Sequence, residues 1–209
     1  MIARCRVKVC GVTSVADALM VSAAGADALG LVFYAKSKRH VSLEQAAEIC
    51  KAVPPFVATV GLFLDAEASF VHEVLGATPL SLLQFHGSES PNYCAQFKHP
   101  YLKAVGMKGI AASGGFKAYA DQYPEAHGFL VDSHAPGAAG GTGETFDWTQ
   151  VPQDYAKPIL LAGGLTPENV AEAIQVSRVY AVDVSSGVEA HPGIKDAAKV
   201  RAFIQNARI

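Results

Sequence analysis

Residues 158–187 read PILLAGGLTPENVAEAIQVSRVYAVDVSSG. Two short apolar runs, 158–162 and 180–184, flank an Ala-containing segment at 167–175 whose apolar residues recur with helical spacing. The runs show little polar alternation, which is how strands buried on both faces read. Two such strands joined by a helix form a parallel β/α unit. Each run also ends in a loop of small residues, Gly163-Gly164 after the first and Ser185-Ser186-Gly187 after the second.

The same alternation extends back to the start of the chain. Strands are expected at 4–9, 28–33, 56–64, 80–85, 102–105 and 128–131, in addition to the two above. Helices are expected at 15–24, 43–52, 66–75, 91–97, 116–123, 167–175 and 196–207. After the sixth strand the helical signal is weakest, and a short piece around 147–151 stands in its place. Eight strands alternating with about eight helices predict a parallel sheet closed on itself, an eight-stranded β/α barrel (TIM barrel). A doubly wound open sheet is the alternative, but no early G-x-G-x-x-G supports it. The 209 residues lie below the roughly 250 usual for this architecture, so the barrel must be compact, with short connections. Nothing resembling a linker, charge block or low-complexity tail divides the chain, which is expected to be one catalytic domain over 1–209.

Composition narrows the function classes. Half of the residues are hydrophobic, and 17 basic against 19 acidic residues give a formal charge of −2. That is not the basic footprint of a nucleic-acid binder. The first residues carry no signal-peptide core, and no apolar run is long enough to span a bilayer. A cytoplasmic protein acting on a small molecule is expected, without nucleic-acid or membrane partners; monomer and homodimer are both compatible. Cys5, Cys50 and Cys94 read as small hydrophobes in or near the core, and no cluster has metal-ligand spacing. Neither a metal nor a cofactor is expected.

A barrel of this kind carries its chemistry at the C-terminal ends of the strands. This filter selects Lys8-Val9-Cys10-Gly11, Ser37-Lys38-Arg39, Gln84-Phe85-His86-Gly87, Asp132, Gly163-Gly164 and Asp183-Val184-Ser185-Ser186-Gly187. Glycine lets backbone approach an anion closely and aim N–H groups at it. The loops after strands seven and eight, in that order, are the usual place for a barrel's phosphate site. Thr166 and Pro167 have the residue types of a helix N-cap and first helical position. The segment 137–143, Gly137-Ala138-Ala139-Gly140-Gly141-Thr142-Gly143, reads either as a plain flexible loop or as a flap that closes over substrate and excludes water. Phe146 and Trp148 would anchor it by packing, with Asp147 as a cap.

Cys10 and Asp132 stand at strand ends expected to face one another across the barrel mouth. A thiolate can remove a proton if nearby positive charge lowers its pKa, and Lys8 shares a strand face with Cys10. An aspartate directly after the apolar run Gly128-Phe129-Leu130-Val131 must face a polar cavity or a partner; protonated, it can serve as a general acid. Arg39 has the planar donor fork that grips a carboxylate, although Lys38 and Arg39 also read as ordinary surface charges. Gln84 and His86 share a face of strand four and could position substrate. Asp183 could bond a substrate hydroxyl or amine, or equally cap backbone N–H groups.

Taken in order, these segments resemble the phosphoribosylanthranilate isomerases of tryptophan biosynthesis. Also matching are Leu130-Val131-Asp132, Gly140-Gly141-Thr142-Gly143, Phe146-Asp147-Trp148, Leu161-Ala162-Gly163-Gly164-Leu165-Thr166-Pro167-Glu168-Asn169-Val170, Val188-Glu189 and Pro192-Gly193-Ile194-Lys195-Asp196. The resemblance runs from Lys8 to Asp196. It implies Cys10 as general base, Asp132 as general acid and Arg39 as the contact to the anthranilate carboxylate. It further implies that backbone around Gly143, Gly163, Gly164, Ser186 and Gly187 holds the phosphate, with Asp183 beside the substrate in a supporting role. The implied reaction is the cofactor-free Amadori rearrangement of N-(5-phosphoribosyl)anthranilate to 1-(2-carboxyphenylamino)-1-deoxyribulose 5-phosphate. Two departures stand out: Lys38 occupies a position where proline is more frequent, and Phe85 one where an aliphatic residue is common. The nearest rival, a histidine-pathway isomerase that performs the same rearrangement, resembles this fold but uses a pair of aspartates. A cysteine at the end of strand one argues against it. Ribulose-phosphate epimerases would be expected to bring a metal site, and a noncatalytic barrel leaves Cys10, Asp132 and the phosphate loops without a purpose.

Overall fold

A computed structural model of the chain describes residues 4–133 and 146–208. Eight strands close into a barrel in sequence order: β1 (Arg6–Cys10), β2 (Ala28–Val32), β3 (Ala58–Phe63), β4 (Leu82–Phe85), β5 (Tyr101–Gly106), β6 (Gly128–Asp132), β7 (Ile159–Leu161) and β8 (Ala181–Val184). Every neighbouring pair is parallel, and β1 closes on β8 with Lys8 opposite Asp183. Around the barrel lie α1 (Val15–Ala24), α2 (Leu43–Ala52), α3 (Ala68–Ala77), α4 (Pro91–Ala95), α5 (Gly115–Ala120), α6 (Val170–Ser177) and α7 (Ala197–Asn206). Between β6 and β7 the described residues hold only a single 3-10 turn, Trp148–Gln150, capped by the Asp147 carboxylate. Beyond β8 a small antiparallel hairpin, β9 (Glu189–His191) and β10 (Ile194–Lys195), precedes α7.

Helix ends follow local chemistry. Ser14 accepts a hydrogen bond from the Asp17 N–H at the start of α1, and Gly25 ends that helix at φ 100°, a conformation glycine adopts without strain. Ser42 and Gln45 form a reciprocal capping box on α2. At α6 the expected cap is displaced. Thr166 caps a preliminary turn, accepting the Glu168 N–H on its hydroxyl, and the helix begins only at Val170. The reason is Asn169, whose side chain accepts the Thr166 N–H and donates to the Gly164 carbonyl, folding the entry segment back on the β7 loop.

Two apolar layers hold the barrel. The interior is filled by Leu102, Ala104, Leu130, Leu160, Ala162 and Ala181. The larger layer lies between strands and helices; it takes Phe85 into an aromatic group with Phe97 and Tyr101, at ring-centroid distances of 5.7 and 5.6 Å. Phe85 thus points away from the pocket, and its size is absorbed by packing. Cys5 and Cys94 are buried, Cys50 is half-buried, and Phe146 and Trp148 pack against the same layer. Among the described residues no helix is long and apolar enough to cross a membrane.

Candidate active site

Period-two alternation on the strands sends Lys8 and Cys10 of β1, Gln84 of β4, Asp132 of β6 and Asp183 of β8 toward the barrel axis. Near the C-terminal rim, Cys10, Arg39, Gln84, His86, Asp132, Asp183 and Ser185 line one cavity of about 270 Å³. Cys10 and Asp132 enter from strands three places apart around the ring.

Cys10 owes its place to two glycines. A methyl group on Gly30, its partner on β2, would lie 2.6 Å from the Cys10 sulfur. Gly11, at φ 75°, leaves the space crossed by the aliphatic stem of Arg39, which any side chain there would overlap. Burial pushes the Cys10 thiol above its ordinary range, opposed by the positive charges of Lys8 and Lys195. Lys8 favours the thiolate, but desolvation outweighs it. Lys8 is itself committed to Asp183 through an ion pair of 2.8 Å, with both side chains buried. Asp183 is therefore first of all the counter-ion of Lys8, an alternative that neither backbone capping nor substrate binding anticipates. Burial raises its carboxyl pKa, and Lys8 opposes the rise.

His86 stands between Gln84 and Asp132. Its Nδ1 is 2.9 Å from the Gln84 amide nitrogen, and its Nε2 lies 3.8 Å from an Asp132 oxygen. The Nδ1 side of the ring is thus tied to Gln84, and the Nε2 side faces the Asp132 carboxyl group. The loop bearing His86 is fixed from behind. Buried Lys103 donates to the Phe85 and Gly87 carbonyls and pairs with Glu89 at 3.1 Å; Glu89 in turn accepts the Asp65 and Gly87 N–H groups. Asp132 meets the β7 loop closely, since a methyl group on Gly163 would lie 2.8 Å from its carboxylate oxygen.

Gly163 and Gly164 both have positive φ, and Gly187 packs so tightly on the Leu165 carbonyl that a side chain could not fit. The β7 and β8 loops therefore adjoin, with Ser186 beside a hollow shared with Arg39 and Glu189. Gly143 and the 137–143 segment lie outside the described residues. Arg39 is not a loose surface charge. Its Nε and Nη2 donate to the two carboxylate oxygens of Glu189 at 2.7 and 2.8 Å, and Lys195 donates to the same carboxylate at 2.8 Å. The lysine at position 38 leaves this arginine in the cavity wall. Sequence reasoning missed Glu189 and Lys195, although both fall within segments of the family pattern.

A family model described as N-(5'phosphoribosyl)anthranilate (PRA) isomerase matches residues 7–206. The N-(5'-phosphoribosyl)anthranilate isomerase of Pseudomonas fluorescens is 55% identical over 203 residues, covering 97% of this chain and 98% of that protein. The chain belongs to the phosphoribosylanthranilate isomerase family. Two solved phosphoribosylanthranilate isomerase structures extend the likeness to three dimensions. One, in complex with reduced 1-(o-carboxyphenylamino)-1-deoxyribulose 5-phosphate, is 40% identical with a TM-score of 0.85, covering 97% of this chain and 98% of its own. The other, of monomers generated from the dimeric enzyme of Thermotoga maritima, is 39% identical with a TM-score of 0.84 and the same coverage. A phosphoribosylanthranilate isomerase is an aldose–ketose isomerase, so its site must supply one acid, one base and grips for two anionic ends.

Proposed function

We propose that the chain, as one cytoplasmic catalytic domain, converts N-(5-phosphoribosyl)anthranilate to 1-(2-carboxyphenylamino)-1-deoxyribulose 5-phosphate by an Amadori rearrangement, the step this family contributes to tryptophan biosynthesis. The observation that carries the assignment of roles is the convergence of Cys10, Asp132 and Arg39 on one rim cavity. Asp132, protonated, gives its proton to the ribose ring oxygen; the C1–O bond breaks and the anilino nitrogen lone pair forms the C1 iminium. Cys10, as thiolate, removes the C2 proton, and that electron pair moves toward the iminium to leave an enolamine. Tautomerisation then places a proton on C1 and the carbonyl on C2. The iminium nitrogen is the electron sink, so no cofactor enters the scheme. Phosphate at the loops bearing Gly163, Gly164, Ser186 and Gly187, with Gly143 assigned there by family pattern, and carboxylate at Arg39 would hold C1, C2 and the ring oxygen between acid and base. His86 and Asp183 flank this position, the first facing Asp132 and the second balancing Lys8.

Arg39→Ala tests the carboxylate grip. Removing one charge-assisted contact costs about 1.5–3 kcal/mol, so KM should rise roughly tenfold or more while kcat changes less. An unchanged KM would remove Arg39 from the binding scheme.

For assembly, we infer a homodimer rather than a monomer. At the N-terminal end of the barrel, Phe56 is fully exposed and rims a hollow lined by Val60, Leu82, Leu102 and Leu160, with Arg6, Asp27 and His127 also in its wall. Association of two copies would take this surface from water, and the Thermotoga relative is described as dimeric. Sedimentation velocity at micromolar protein should give a dimer that Phe56→Glu converts to active monomer. A wild-type monomer at every concentration would contradict the inference.

A further inference from the structure

Glu189 and Lys195 lie on the β9–β10 hairpin, outside the strand ends that bear the acid and base, yet their side chains are almost entirely buried, at 4% and 0% exposure. The Glu189 carboxylate holds Arg39 by two parallel hydrogen bonds through Nε and Nη2. That geometry fixes the plane of the guanidinium. It leaves Nη1 without a bond among the described residues, on an arginine that lines the cavity.

Pairing an arginine with a glutamate would ordinarily neutralise it and weaken its hold on an incoming carboxylate. Lys195 prevents this. Its ammonium shares the same Glu189 oxygen that accepts from Arg39 Nε, so the three side chains together retain one positive charge. Lys195 also donates to the Ser185 carbonyl at 3.2 Å, at the end of β8. Its backbone N–H is held by Asp17, and Lys199 donates to the Glu189 carbonyl, so the hairpin is anchored on both sides. One buried network therefore joins the arginine wall of the cavity to the loop that begins Ser185-Ser186-Gly187.

We propose that Glu189 and Lys195 are positioning residues for substrate specificity: Glu189 aims Arg39 at the carboxylate of the substrate, and Lys195 preserves the net positive charge that makes the grip effective. This rests on the reading of Arg39 as the carboxylate contact, and it assigns the selectivity for an ortho-carboxylated aniline to a network of three side chains.

The test compares two unreactive ligands, the reduced product and its counterpart lacking the carboxylate, by equilibrium binding to the full-length protein. Glu189→Asp keeps the charge but withdraws the carboxylate by one methylene; Lys195→Met keeps the Arg39–Glu189 pair but removes the surplus charge. Each should lower the affinity ratio between the carboxylated and uncarboxylated ligands by about tenfold, the order expected when a charge-assisted contact is disturbed. Affinity for the uncarboxylated ligand should stay within about twofold in Glu189→Asp, which leaves the phosphate loops untouched, and should fall less than that of the carboxylated ligand in Lys195→Met, which also loses the bond to the Ser185 carbonyl. Equal weakening of both ligands would make the pair structural support only, and an unchanged ratio in both variants would also overturn the proposal. The two substitutions act through different terms, so misfolding of one leaves the other decisive. Arg39→Ala run alongside separates the two readings: if it too leaves the ratio unchanged, the failure belongs to Arg39 as carboxylate contact.

Discussion

Cys10→Ala should lower kcat by about 10²–10⁴-fold, the usual contribution of a positioned general base, while the reduced product binds as before. The variant removes one buried sulfur, a loss that costs about 1 kcal/mol of stability and leaves the barrel folded. Steady-state turnover followed by the disappearance of substrate fluorescence, paired with ligand titration, distinguishes the two effects. Turnover near the wild-type rate would remove Cys10 from the chemistry. The expected effect is large because Gln84, His86 and Asp183, which share the cavity wall with Cys10, are each already engaged or oriented elsewhere. None stands ready to take the C2 proton from the side of β1.

Asp132→Asn should be similarly severe, about 10²–10⁴-fold in kcat, for the complementary reason. The amide is nearly isosteric with the carboxyl group and fits the same narrow space beside Gly163, so packing is preserved. It has no proton to give to the ribose ring oxygen, however, and ring opening should fail first. Binding of the reduced product, whose sugar is already open, should change little. A parallel loss of ligand affinity and kcat would point to a role in holding the ligand instead of in proton transfer.

The barrel was legible because buried parallel strands write themselves as uninterrupted apolar runs. All eight appear within a few residues of their expected positions, and α1 and α2 at their expected bounds, because Ser14, Gly25, Ser42 and Gln45 mark ends by local hydrogen bonding. The start of α6 was not legible, because Asn169 redirects the chain through bonds to Thr166 and Gly164 that a Thr-Pro signal does not foretell. The same division holds in the cavity. Position at a strand end selected Cys10, Asp132, Asp183 and His86, since the barrel rule concerns backbone geometry. Their electrostatics depend on contacts far apart in sequence. Lys8 meets Asp183 across 175 residues, and the balance between burial and charge at Cys10 has no local signature. Glu189 and Lys195 escaped the strand-end filter because they belong to a hairpin beyond β8. Their only signal was their presence within the family pattern, which gave them no role.

The proposed reaction requires a single proton on the pair, held by Asp132 while Cys10 is ionised. Adding a proton silences the base, and removing the last one silences the acid, so kcat/KM should follow a bell in pH with macroscopic limbs belonging to the pair. Phosphate ionisation of the substrate can shape the acid side, which leaves the alkaline side as the informative one. Because burial raises the Cys10 thiol, the last proton leaves the pair above the ordinary thiol range. The most direct measurement is therefore kcat/KM of the wild-type protein from neutral to strongly alkaline pH, in a range where the fold is shown to persist. A plateau is expected, followed by a fall of one order per pH unit beyond the ordinary thiol range. Activity that stays level through that range, or that climbs with each added unit of pH, would contradict a thiolate base working with a protonated aspartic acid.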